Sequence, residues 1–176
     1  MSLPVLQIRE MFETCPLHRV YLEDPSLPPE RWDVHLLILG FGTLGQEALL
    51  QAMNLGVAHS RNRIHIDVVD RDMAEKQGLF ASRFRTSAVS GSGQHLAVES
   101  AFADGELTMD FHQMDLRYQA FQQLLEEMGR EPFTYVVIAL EDADVSMHCL
   151  SELRRCLGER SVPIALRTDA NLRALS

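Results

Sequence analysis

The sequence predicts an α/β fold, a Rossmann-like parallel sheet with helices on both faces and strand order 3-2-1-4-5. Three observations carry this. Apolar runs recur at Val34–Leu39, Ile64–Val69, Tyr135–Leu140 and Val162–Leu166, with an alternating one at Glu106–Met114. Segments of helical spacing separate them. A Gly-x-Gly-x-x-Gly string, Gly40-Phe-Gly-Thr-Leu-Gly45, joins the first run to the first helix. Strands alternating with helices require right-handed crossovers, which lay helices on both faces of a parallel sheet.

Residues 1–33 read as an annex to this core. It has a helical stretch over Val5–Phe12, a short strand at Arg19–Leu22, and a loop enforced by the three prolines of Asp24–Pro29. The core, 34–176, opens with Val34–Leu39, whose density suits a strand buried on both faces. Leu44, Ala48, Ala52 and Leu55 then mark one helix face over Thr43–Leu55, with Gly56 placed to stop it. Ile64–Val69 is the second strand and Met73–Phe84 the next helix. Thr86–Gly105, rich in Ser, Gly and Ala, reads as an inserted flexible loop with one helical turn at His95–Ala101. After the third strand, Phe121, Leu124, Leu125 and Met128 share a helix face. Pro132 separates that helix from the fourth strand. A helix over Ala143–Leu157 and the fifth strand follow, and Leu172 and Leu175 beyond it predict exposed apolar surface and self-association into a homo-oligomer.

Composition narrows the function. The 176 residues suit one domain. Sixteen Lys and Arg against twenty-five Asp and Glu leave a net charge of −9, which disfavours general nucleic-acid binding. No apolar stretch approaches the about 20 residues of a membrane helix, so direct membrane insertion is not expected. Three cysteines without a Cys-x-x-Cys pair argue against a disulfide framework and a zinc knuckle, and point to a reducing cytoplasm.

The glycine string has a mechanism because of its placement between a strand and a helix. Gly40 allows the tight turn, Gly42 lets backbone approach a pyrophosphate, and Gly45 lets the helix pack closely. Phosphates would rest on free N–H groups at the positive end of the helix. Asp70 closes the second strand, where a carboxylate accepts bonds from ribose hydroxyls. It lies 25 residues beyond Gly45, the extra length fitting the polar turn Val57–Arg63. An acid there repels a 2′-phosphate and favours NAD(H), or the adenine nucleotides ATP, ADP and AMP, over NADP; Arg71 weakens that preference. The competing reading makes Asp70 a cap for the following helix.

From about His35 to Leu175 the chain resembles the nucleotide-binding lobe of the regulator-of-potassium-conductance family, the TrkA-N or KTN domains. The residues behind the resemblance are the glycine turn, Val69-Asp-Arg-Asp72, Asp115 at the end of the third strand, Ala139-Leu-Glu-Asp-Ala-Asp-Val-Ser146 after the fourth, and Arg167 on the fifth. Leu140 and Ser146 depart from the family's usual Thr and Asn. The resemblance implies a ligand site made by Gly40, Phe41, Gly42, Thr43, Leu44, Gly45, Asp70, Arg71, Asp72, Asp115, Ala139, Leu140 and Glu141. It implies a potassium channel or transporter as partner. A fainter resemblance is to bacterial proteins that join such a lobe to a ryanodine-receptor-type module.

A dehydrogenase needs a substrate domain beside its cofactor fold, and 176 residues hold none. A regulatory nucleotide-binding domain, not an enzyme, is therefore expected. The alternative is the cofactor domain of an NAD-dependent oxidoreductase whose catalytic part lies elsewhere. The seven histidines form no His-x-x-x-His or Glu-x-x-His pair, so no metal site is expected. Cys149 and Cys156, seven apart, read as buried packing. Glu141, Asp142 and Asp144 read equally as a ligand-edge cluster or as acids favoured by a helix dipole. Ser92 with His95 lacks a third partner for hydrolysis. Arg83 and Arg85 are candidates for a phosphate or interface role.

Overall fold

A computed structural model describes residues 2–27, 32–58, 63–83, 89–90, 95–98, 106–168 and 171–175. The helices are α1 (Leu3–Thr14), α2 (Arg19–Glu23), α3 (Thr43–Ala58), α4 (Met73–Arg83), α5 (Ala120–Met128) and α6 (Ala143–Leu157). The strands are β1 (Asp33–Leu39), β2 (Arg63–Asp70), β3 (Val89–Ser90), β4 (His95–Val98), β5 (Glu106–Gln113), β6 (Tyr135–Ile138), β7 (Ile164–Thr168) and β8 (Asn171–Leu175).

The sheet runs β3-β4-β5-β2-β1-β6-β7-β8. Its five central strands are parallel in the predicted 3-2-1-4-5 order. Antiparallel strands extend both edges: β4 pairs with β5, β3 with β4, and β8 with β7.

Alternation along β1 divides the core. Leu36 and Ile38 face a layer with α1, α3 and α4, while Leu37 and Leu39 face α5 and α6. Both sets are fully buried, as two-sided burial of a central parallel strand requires. The annex belongs to the first layer, since Ile8, Met11, Phe12, Cys15 and Leu17 share its core. The buried Tyr135 hydroxyl donates to the Cys15 carbonyl at 2.9 Å, tying the end of α1 to β6.

Five local expectations are corrected. Arg19–Leu22 is helical, not a strand; an ion pair between Arg19 and Glu23 at 2.7 Å, one turn apart, spans this five-residue helix. α3 continues through Gly56 to Ala58, since an interior glycine costs a helix only about 1 kcal/mol. His95–Val98 is a strand, not a helical turn, because the outer side of β5 offers an unpaired ladder. Leu172 is half-buried against the core, as β8 folds back along β7, which removes its part of the exposed surface behind the expected self-association. Cys149 is buried as expected but Cys156 is exposed. Ser92, Arg85 and the side chains of Arg83, His95 and Leu175 lie outside the described residues. No described helix is long and apolar enough to cross a membrane.

Candidate functional site

A cleft of about 510 Å³ opens at the carboxyl ends of the central strands. It lies where the strand order reverses between β1 and β6, the switch point at which open α/β sheets bind ligands. Of the residues expected to bind, Gly40, Gly42, Thr43, Asp70, Arg71, Asp72, Asp115, Ala139, Leu140 and Glu141 line it. Phe41, Leu44 and Gly45 do not: their side is turned inward, and all three are buried. Phe41 stacks obliquely between Phe80 and Phe111, at 5.3 and 5.5 Å, so its side chain belongs to the core.

The three glycines do different work. Gly40 has φ +96°, and a Cβ there would press within 3.0 Å of the Ala139 backbone and Leu140. Both the turn and the close approach of β6 therefore require glycine. A Cβ at Gly45 would stand 2.0 Å from the Gly40 carbonyl oxygen, so Gly45 lets α3 start against the turn. At Gly42 a Cβ would meet nothing within 4 Å. The space it would fill is the cleft. The helical ladder of α3 begins with the Gln46 N–H donating to the Gly42 carbonyl at 2.9 Å, so the amides before Gln46 lie ahead of that ladder at the helix start.

Asp70 is buried with its carboxylate fully engaged. Oδ2 accepts from the Phe41 N–H at 2.7 Å and Oδ1 from the Asp72 N–H at 2.7 Å. Lys76 Nζ donates to both oxygens, at 3.1 and 2.9 Å. Asp70 thus holds the glycine turn as well as opening the connection to α4, and the partly exposed Lys76 covers its carboxylate from the cleft side. With Lys76 beside it and Arg71 at the rim, its charge is compensated.

The rest of the rim is ionic. Arg117 grips Asp115 with Nε and Nη2 at 2.9 and 2.6 Å, and its N–H adds a third bond at 3.0 Å. The Arg117 guanidinium holds the Asp115 carboxyl down to about 2. Asp142 caps α6, accepting from the Asp144 and Val145 N–H groups at 2.9 and 3.1 Å, so it acts in the helix start as the dipole reading expects. Arg167 reaches the cleft from β7, 4.0 Å from Glu141. Five acids and four cations line the cleft, so the net −9 of the chain is not concentrated there. Lys76, Arg117 and Leu116 join the wall without having been singled out by the sequence; Lys76 lies one turn into α4, where only the fold brings it back over Asp70.

Away from the cleft, on the sheet face toward α5, His35, His65 and His112 converge on Asp67. No spacing along a single element signals that grouping. In comparisons with known proteins, no family model and no curated protein matches this chain.

Proposed function

We propose that the chain is a nucleotide-binding regulatory domain that takes NAD(H), or an adenine nucleotide, in the cleft between β1 and β6. The observation that carries the reading is the cleft wall at Gly42, where a Cβ would meet no protein atom within 4 Å, framed by the Gly40 turn, the start of α3 and Asp70. A pyrophosphate there takes the leading amides of α3 and the helix dipole, while the ribose lies toward Asp70 and the adenine toward Asp115. Lys76, Arg71, Arg117 and Arg167 supply counter-charge for phosphate at the rim.

Regulation follows from position. A ligand touching the ends of β1, β2, β5 and β6 together favours one arrangement of these ends, and a partner that distinguishes the arrangements reads occupancy. By the resemblance noted above, a potassium channel or transporter is the proposed partner, with a homo-oligomer as the proposed assembly. The test is calorimetric titration of the purified chain with NAD, NADH, NADP, ATP, ADP and AMP. Saturable binding of at least one adenine nucleotide, with no hydride transfer from simple alcohols or hydroxy acids or to aldehydes, is the expected result. Absence of binding across the panel refutes the nucleotide reading, and NAD-dependent turnover refutes the regulatory one.

A further inference from the structure

We propose that His35, His65 and Asp67 form a binding site for a divalent transition-metal ion of the zinc class, with one coordination position open to a cavity. The site shares no lining residue with the nucleotide cleft and stands independently of it.

His35 and His65 are the third residues of β1 and β2 and sit side by side in the parallel register. Period-two alternation puts Asp67 on the same sheet face as His65. One ligand atom from each residue, a ring nitrogen or a carboxylate oxygen, lies within 4.8 Å of the others. His35 Nε2 is 2.6 Å and His65 Nε2 3.3 Å from Asp67 Oδ2. Tetrahedral zinc with bonds of about 2.05 Å sets neighbouring ligand atoms about 3.3 Å apart, so His65 is already at distance and His35 must withdraw about 0.7 Å.

The outer partners are those that aim imidazoles at a metal. His35 Nδ1 lies 2.8 Å from the Glu131 carbonyl oxygen, which can only accept, so the proton sits on Nδ1. Nε2 lies at hydrogen-bond distance, 2.6 Å, from the Asp67 carboxylate oxygen. A cation that takes the place of the proton between the two turns this bond into coordination. His65 Nδ1 is bonded to Thr108 Oγ1 at 2.6 Å, which likewise turns Nε2 inward. His112 Nε2 bonds the other oxygen of Asp67 at 2.7 Å and fixes the carboxylate plane. Two imidazole nitrogens and one carboxylate suit zinc-class ions rather than magnesium or calcium, which prefer all-oxygen shells.

His35 and Asp67 are both buried, with side chains 5% and 4% exposed, in a position where apolar residues would stabilise the sheet at least as well. Beside them is a cavity of about 430 Å³, with Asp110 on its wall and His65 Nε2 only 3.2 Å from the Asp110 carboxylate. Three protein ligands and an open side are the arrangement of a metal that keeps a water or a small anion in its fourth position.

The experiment uses the full chain, stripped with chelator, and measures Zn²⁺ binding by calorimetry and Co²⁺ binding by its visible spectrum. One equivalent of each binds, the Co²⁺ bands are those of a tetrahedral site without thiolate charge transfer, and Zn²⁺ raises the melting temperature. H65Q, whose side chain is at the cavity rim, lowers the affinity more than about 100-fold, and T108V lowers it about 10- to 100-fold, as loss of an outer partner does. D67N abolishes binding; should it fail to fold, H65Q and T108V carry the comparison. Less than a stoichiometric amount of metal on the folded wild type overturns the proposal. So does unchanged affinity in H65Q, or a thiolate band that assigns the ion to a cysteine.

Discussion

Gly42 and Gly45 stand three residues apart in one string, yet substitution should separate binding from folding between them. A Cβ at Gly45 would lie 2.0 Å from the Gly40 carbonyl oxygen and must retreat by about 1.4 Å to reach the 3.4 Å of ordinary contact. Neither backbone can yield alone, since Gly40 is held by its N–H bond to the Val69 carbonyl at 2.8 Å and by β6 against its α-carbon. Gly45→Ala should therefore cost about 3 kcal/mol of stability, the upper end for overpacking. Gly42 has open space and no left-handed φ, so Gly42→Val should cost stability no more than about 1 kcal/mol, the scale of a poor helix-start residue. The same side chain stands where the phosphate must come, and overpacking of about 1–3 kcal/mol there weakens binding about 5- to 150-fold. Urea unfolding reads the first quantity and nucleotide calorimetry the second. Wild-type affinity in Gly42→Val refutes the phosphate assignment, and wild-type stability in Gly45→Ala refutes the packing argument.

Three further outcomes are expected. Tyr135→Phe should lower stability by about 1–3 kcal/mol, because the buried bond to the Cys15 carbonyl is lost and its acceptor left dry; an unchanged urea midpoint contradicts this. Because Arg117 depresses the Asp115 carboxyl from 3.8 to about 2, the stabilisation by this pair is complete above about pH 4 and is lost as pH falls through about 2. Arg117→Gln should return the Asp115 titration, followed by carboxyl-carbon NMR, toward 3.8; a midpoint that stays near 2 rejects Arg117 as the cause. Of the three cysteines, the exposed Cys156 should be the first to react with a thiol reagent in the native protein, at a rate slowed because partial burial raises its thiol; burial shields Cys15 and Cys149 and pushes the Cys149 thiol up to about 12. Rapid modification of all three without denaturant contradicts the packing described.

Four of the five parallel strands were legible because central strands bury both faces and so appear as dense apolar runs, and the fifth, β5, was legible from its alternation. The edges were not. β3 and β4 lie in a Ser- and Gly-rich stretch where pairing, rather than side-chain pattern, makes the strand. α2, at five residues, is too short to display a period. β8 follows β7 so closely that its pairing depends on a hairpin rather than on its own apolar content. In the cleft, the glycines and Asp70 were legible from their order along the chain, but Lys76 over Asp70 was not, since that contact depends on how α4 lies. The His35, His65 and Asp67 grouping needs the register of two strands to be seen. Its one signal in the sequence was polar residues, His35 and Asp67, inside runs otherwise dense enough to be buried on both faces.

Helix α1 also bears on the order in which the fold can form. It packs against α3 and against β8, the strand that follows all the others named here, and its end is tied to Tyr135, 120 residues beyond Cys15. Synthesis from the amino end delivers this helix before α3, β6 and β8. Until β6 and β8 emerge, Ile8, Met11 and Phe12 have only part of their eventual cover, so a segment made before these partners is sealed only when they arrive. Such long-range closure slows folding and lengthens the time during which apolar side chains are open to chaperones or to other nascent chains.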